Sequence, residues 1–199
     1  MTRAAGLIDR SLAEFARAVA APGPVPGSGS VAAALGAFGA GLASMALGAG
    51  RGEGVAIEGS AGAARRMEAL LARVDLDAEA YAGFLEARAG RGELTAAIER
   101  SIAVPCEIAA EALAALEGLV AACAAVRPRL RSEAVTAAHA LRAAVEGATF
   151  TAGANLPGLA DARERERRGV ELQALRARAE GLLVAFQDRL RDALGGDSG

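Results

Sequence analysis

From Ser28 to Gly50 the chain has no charged residue, and most of the positions are alanine or glycine. A helix of this length with no polar face cannot lie on a protein surface, so it must be buried in protein or in lipid. Lipid is the poorer solvent for this run. Alanine and glycine are weakly apolar, only a handful of Leu, Met, Phe and Val residues add real lipid affinity, and no aromatic belt flanks the segment. The reading is therefore a fully buried central helix of a bundle or dimer, with no membrane partner. Small residues at Gly36, Ala40, Ala43 and Ser44 would allow close backbone contact with its neighbours.

The rest of the chain fits helices around that core. Aromatic residues are only 3% of the sequence, β-branched residues are sparse, and alanine and leucine dominate, which excludes convincing strands. Ser11 and Glu14 form a capping-box pattern that opens a first helix ending before Pro22. After the break GAGRGEG, a helix is predicted over about 60–88. Another runs from about Glu93 past Pro105, where proline predicts a kink, to about Val126. Arg127-Pro128-Arg129 breaks the chain, a helix follows from Ser132 to about Thr151, and GANLPGL separates it from a last helix over about 161–194. GGDSG reads as a frayed tail. The expectation is all-α: one antiparallel bundle of about six helices in a single domain, 1–199.

Charge and residue usage remove several function classes. With a formal net charge of −2 there is no basic field for nucleic acid. The chain contains no lysine, so Schiff-base chemistry and a P-loop phosphate cradle are excluded. Cys106 and Cys123 match no zinc or redox spacing and read as small core residues in a reducing compartment. His139, the sole histidine, shares a helical face with Arg142 and Glu146 and reads as solvated or lightly paired. No metal site is expected, and the RERERR run over 163–168 reads as a solvated helix face. The N-terminus meets charge too early for the apolar region of a signal peptide, so the expected location is cytoplasmic.

Two stretches carry candidate chemistry. In LLARVDLDAEAYAGF, helical spacing aligns Leu70, Val74, Asp77, Tyr81 and Phe84, which sets Asp77 in an apolar row. Asp75 falls instead with Glu79 and Glu86 on what reads as the solvated face. A carboxylate in an apolar row is costly unless it is hydrogen-bonded, paired or placed at a cleft. It therefore either caps another helix, pairs with a buried arginine, or serves a functional site. The second stretch, Gly27-Ser28-Gly29-Ser30, enters the uncharged helix. Its free backbone N–H groups suit an anion or a carbonyl oxygen, and the plainer reading is a turn with Ser28 or Ser30 as N-cap.

Five segments in order resemble the cyclodeaminase domain of formiminotransferase-cyclodeaminase and the related bacterial methenyltetrahydrofolate cyclohydrolases. These are Ser11-Leu12 with Glu14-Phe15, then VPGSGSVAA, DLDAEAY, VPCEIAAEAL and SEAVTAAHALRAAVEGATFTAGANL. The resemblance implies an all-helical homodimer acting on a tetrahydrofolate derivative as substrate. By carry-over, Asp77 is the acid/base candidate, and Pro26, Gly27, Ser28, Gly29 and Ser30 shape the folate pocket. Ser132, Glu133 and Asn155 match later polar positions and are further pocket candidates. The chain departs from the pattern at several points. The second loop glycine is Ser28, the first asparagine of NVRIN is Thr151, and the arginine between its two asparagines is Gly153. A lysine-rich stretch is replaced by GAGRGEG, where Arg51 offers one substitute cation. The implied reaction is either hydrolysis of 5,10-methenyltetrahydrofolate or conversion of 5-formimidoyltetrahydrofolate to the methenyl form with loss of ammonia. The alternative is a non-catalytic helical dimer or scaffold of the same fold; the retained Asp77 argues against it and the missing lysines for it.

Overall fold

A computed structural model of the chain describes residues 6–49 and 54–195. Arg51 and residues 196–199, most of the predicted tail, lie outside the described residues. Six α-helices follow in order: α1 (Leu12–Ala20), α2 (Ser28–Gly48), α3 (Val55–Arg88), α4 (Leu94–Ala121), α5 (Arg131–Asn155) and α6 (Ala162–Gly195). Three short 3-10 turns occupy the last two joints, and no strand occurs among the described residues.

The first helix starts where its capping box requires. Ser11 N–H donates to Glu14 Oε2 at 2.8 Å while Ser11 Oγ accepts from Glu14 N–H at 3.3 Å. Elsewhere tertiary contact moved the predicted boundaries. α3 begins at Val55 because its glycine-rich first turns fit closely against α2: Ser60 Oγ donates to Ser44 O at 2.9 Å, and a Cβ on Gly59 would press on Leu47. α5 continues through Gly153 to Asn155, with Gly153 facing Leu172 of α6. α4 ends at Ala121, and the 3-10 turn Cys123–Ala125 takes the residues that sequence assigned to its last turn. Pro105 lies inside α4, which continues as one helix on either side of it.

The uncharged helix α2 holds the centre between antiparallel α3 and α5. Along α3 the pairing steps from Ser44 with Ser60, through Gly41 with Met67 and Gly36 with Leu70, to Ser30 with Asp77. Along α5 it steps from Gly39 with Leu141, through Gly36 with Ala144, to Ser28 with Thr151. Two of these steps are close enough for the lack of a side chain to matter. A Cβ on Gly39 would lie 2.8 Å from Leu141 Cγ, and one on Gly36 would lie 3.1 Å from Leu70 Cδ1. α4 closes the bundle over α3 and α5, tied to α3 by Arg66–Glu111 and Arg73–Glu107 ion pairs. α6 covers α4 and α5, and Arg168 of the RERERR run bridges to Glu99 at 2.8 Å.

One expectation requires correction. α2 is not buried on all sides, because its neighbours cover only part of its circumference. Leu35, Phe38 and Met45 form an exposed apolar stripe, at 38%, 54% and 48% exposure. Among the described residues α2 is the one helix long and apolar enough to cross a membrane, and half of its most apolar window is buried inside the bundle.

Gly39→Ala tests the close packing. Alanine favours an isolated helix by about 1 kcal/mol over glycine, yet the overlap with Leu141 is expected to lower unfolding stability by about 1–3 kcal/mol. Urea denaturation checks the sign. Stabilisation would refute the tight α2–α5 contact.

Candidate active site

Asp77 lies about six turns into α3 on its buried side, at 7% exposure, and the bundle register delivers it to the N-terminus of α2. Gly27, the N-cap of α2, has no side chain to satisfy the free N–H groups of the first turn. Asp77 takes that role from another helix. Ser30 Oγ donates to Asp77 Oδ2 at 3.0 Å, and the Ser30 backbone N–H also donates to the carboxylate. Oδ1 rests against Gly29, where a Cβ would overlap it. Glycine at 29 is therefore the condition for bringing this carboxylate to this helix end.

Of the three readings of Asp77, the structure realises the helix cap. Asp77 caps α2, and it also faces a cavity of about 410 Å³, of the size that takes a small organic ligand. No arginine pairs with it among the described residues. Burial pushes the Asp77 carboxyl above its ordinary range, and the hydrogen bonds from Ser30 offset this only in part. Among the described residues Asp77 is the one charged side chain lining the cavity.

The other walls come from the loop before α2 and from four helices. The loop supplies Gly23, Pro24, Val25 and Gly27, and α2 supplies Ser28 and Gly29. Ala80 and Tyr81 follow Asp77 on α3, Ser101 comes from α4, and Thr151, Ala154 and Asn155 come from the end of α5. Pro26 is buried behind the loop, after a cis peptide bond, and does not line the cavity. Ser30 reaches the site only through Asp77. Ser132 and Glu133 sit at the opposite end of α5, about 33 Å from Asn155 at 1.5 Å rise per residue. There the Ser132 hydroxyl donates to Glu133 at 2.7 Å, so within one chain the fold does not bring these two residues to the cavity.

Sequence reading singled out neither Ser101 nor Thr151 as a site residue, and it placed Tyr81 on the Asp77 stripe without assigning it. The spacing of four residues from Asp77 was the available signal for Tyr81. For Ser101 there was none, since only the packing of α4 on α5 brings it in. Two departures from the resembled pattern meet here: the Ser28 and Thr151 hydroxyls lie 2.8 Å apart. Thr151 spends its proton on Gly147 O, so Ser28 is the donor of the pair. Asp75 is not simply solvated: it accepts Leu7 N–H at 2.5 Å and holds the segment before α1 against α3. His139 is exposed, within 3.5 Å of Gln187 and remote from the cavity. No cluster of three His, Cys, Asp or Glu side chains suited to a metal occurs among the described residues.

Helical bundles build small-molecule sites from side chains on facing helices, and among the described residues Asp77 stands at such a cavity as a buried carboxylate without a cation. Comparison with known families narrows this. The formiminotransferase-cyclodeaminase family model matches residues 11–174, and the chain belongs to that family. The fold is shared with the crystal structure of formiminotetrahydrofolate cyclodeaminase from Thermotoga maritima, at a TM-score of 0.80 and 24% identity over 93% of this chain and 98% of that one. No curated protein matches the sequence.

The raised pKa has a definite consequence for stability. Relative to an unfolded aspartate near 3.8, the fold prefers Asp77 protonated. Its contribution to stability is therefore complete below that pH and is lost as pH rises through the folded-state pKa. Asp77→Asn, which cannot ionise, is expected to gain in melting temperature relative to wild type across that window, with no gain below pH 3.8. Calorimetry at stepped pH reads this; a variant that gains nothing at neutral pH contradicts the desolvated carboxylate.

Proposed function

We propose that the chain is an enzyme of folate one-carbon metabolism that uses Asp77 as its acid/base group. The observation that carries this reading is the Asp77 carboxyl itself, buried without a cation, bonded to Ser30 and open to the cavity. A one-carbon tetrahydrofolate in the methenyl state has a delocalised cation across N5, the bridging carbon and N10. The cavity offers that cation a single negative partner in a low-dielectric setting, where such pairing is strongest.

The same carboxyl suits either direction of one-carbon chemistry. In hydrolysis it takes a proton from the water that adds to the bridging carbon, and a ring nitrogen is protonated as its C–N bond breaks. In cyclodeamination N10 adds to the formimidoyl carbon and loses its proton, and the departing amine is protonated as ammonia leaves. A carboxyl with a raised pKa can hold the proton between these steps. We assign the chain to one of these two activities, cyclohydrolase or cyclodeaminase, as a single cytoplasmic domain with no resident metal.

The exposed stripe Leu35, Phe38 and Met45 follows helical spacing along an uncharged helix, with half-buried Val31 and Leu42 on the same side. A second copy of the chain fits such a self-complementary apolar face, and covering it would make α2 fully interior without a bilayer. A homodimer through α2 is the assembly we propose.

Loss of the methenyl-folate chromophore on mixing with purified protein tests the activity, with release of ammonia from the formimidoyl substrate as its counterpart. Wild type is expected to turn over one of the two substrates, and Asp77→Asn is expected to lose about 100-fold or more in kcat. No turnover of either substrate defeats the enzyme reading, whereas full activity of the variant defeats only the role of Asp77. For assembly, Phe38→Glu is expected to shift detergent-free protein from dimer to monomer by sedimentation; a wild-type monomer rules out the interface.

A further inference from the structure

Asn155 is the only asparagine in the chain, and it lines the cavity at the end of α5. Its Nδ2 donates to the backbone carbonyl of Ser101 in α4 at 2.8 Å. Within an α-helix that carbonyl would accept the N–H of residue 105. Residue 105 is proline, which has no N–H and whose ring pushes the carbonyl four residues back away from the helix axis. A carbonyl deprived of its ladder partner inside a packed bundle needs another donor. Asn155 provides it. Because a carbonyl can only accept, this bond also fixes which end of the carboxamide points where. Nδ2 is committed to α4, and Oδ1, which accepts no hydrogen bond from any described residue, remains for a ligand.

We propose that Pro105 is a positioning residue that acts through Ser101 and Asn155 to present the Asn155 Oδ1 as a fixed acceptor to an N–H donor of the ligand. The proposal rests on the folate reading above for the identity of that ligand. Asp77 and Asn155 then contribute one acceptor each from α3 and α5. The matching ligand is a nitrogen heterocycle or amidine with at least two polar N–H or cationic nitrogen sites, which an oxygen-only analogue would not satisfy. Pro105 itself is buried and does not line the cavity, so sequence alone presents it only as a helix defect.

The test combines a spectrum and a kinetic cycle on the full chain. Selective labelling with 15N-asparagine gives a single side-chain amide pair, that of Asn155. Pro105→Ala restores the N–H and the ladder bond to Ser101 O. It is expected to cut exchange protection of the Asn155 Nδ2 protons by about tenfold, with helical circular dichroism unchanged. This readout needs no substrate and therefore stands even if the folate reading fails. With whichever methenyl or formimidoyl substrate wild type turns over, Pro105→Ala and Asn155→Ala are each expected to raise KM by about tenfold and leave kcat within about twofold. The double variant should be no worse than Asn155→Ala alone. Unchanged Nδ2 protection in Pro105→Ala, or effects on KM that multiply in the double variant, overturns the proposal.

Discussion

The carboxylate of Asp77 closes the open end of α2, and much of the molecule can be understood as what is needed to hold it there. A helix that begins at Gly27 has no side chain to cap its first turn, and a carboxylate 47 residues away from Ser30 in sequence supplies the missing acceptor. The two partners stabilise each other: the helix end offers N–H groups and positive dipole, and the buried carboxylate needs both. The cavity then opens at the one place where a helix terminus, a carboxyl and the end of α5 converge.

Delivering Asp77 to that point depends on how closely α2 approaches its neighbours. Gly36 and Gly39 let Leu70 and Leu141 approach the α2 backbone directly, and Gly29 does the same for Asp77. Because these contacts run down both sides of α2, one register error would displace the whole α3 face. The alanine-rich core is therefore more than filler. Alanine contributes little area per residue, so such a core gains its stability from close backbone approach and the dispersion contacts that come with it. The same economy leaves α2 incompletely covered, with its apolar stripe at Leu35, Phe38 and Met45 exposed.

The far wall of the cavity follows a different logic. There a break in hydrogen bonding at Pro105 is repaired across the bundle by Asn155, so an irregularity in one helix sets a side chain in another. Ser28 and Thr151 form a second cross-helix pair close by. Neither residue matches the resembled family pattern, and the two departures are in direct contact.

The sequence by itself determined the helical class, the central uncharged helix, the capping box at Ser11 and the singular position of Asp77, because each is a local pattern of spacing or composition. It also carried the family resemblance that placed Gly27 to Ser30 and Asn155 near the site. Only the tertiary structure decided that Ser132 and Glu133 lie at the far end of α5, that Pro26 stands behind the loop, and that Asp75 anchors the segment before α1. It alone brought Ser101 and Thr151 to the cavity. The physical reason is register. Periodicity tells which face of a helix is buried, but how far one helix slides along another is set by where glycine permits contact. That sliding position determines which polar groups meet.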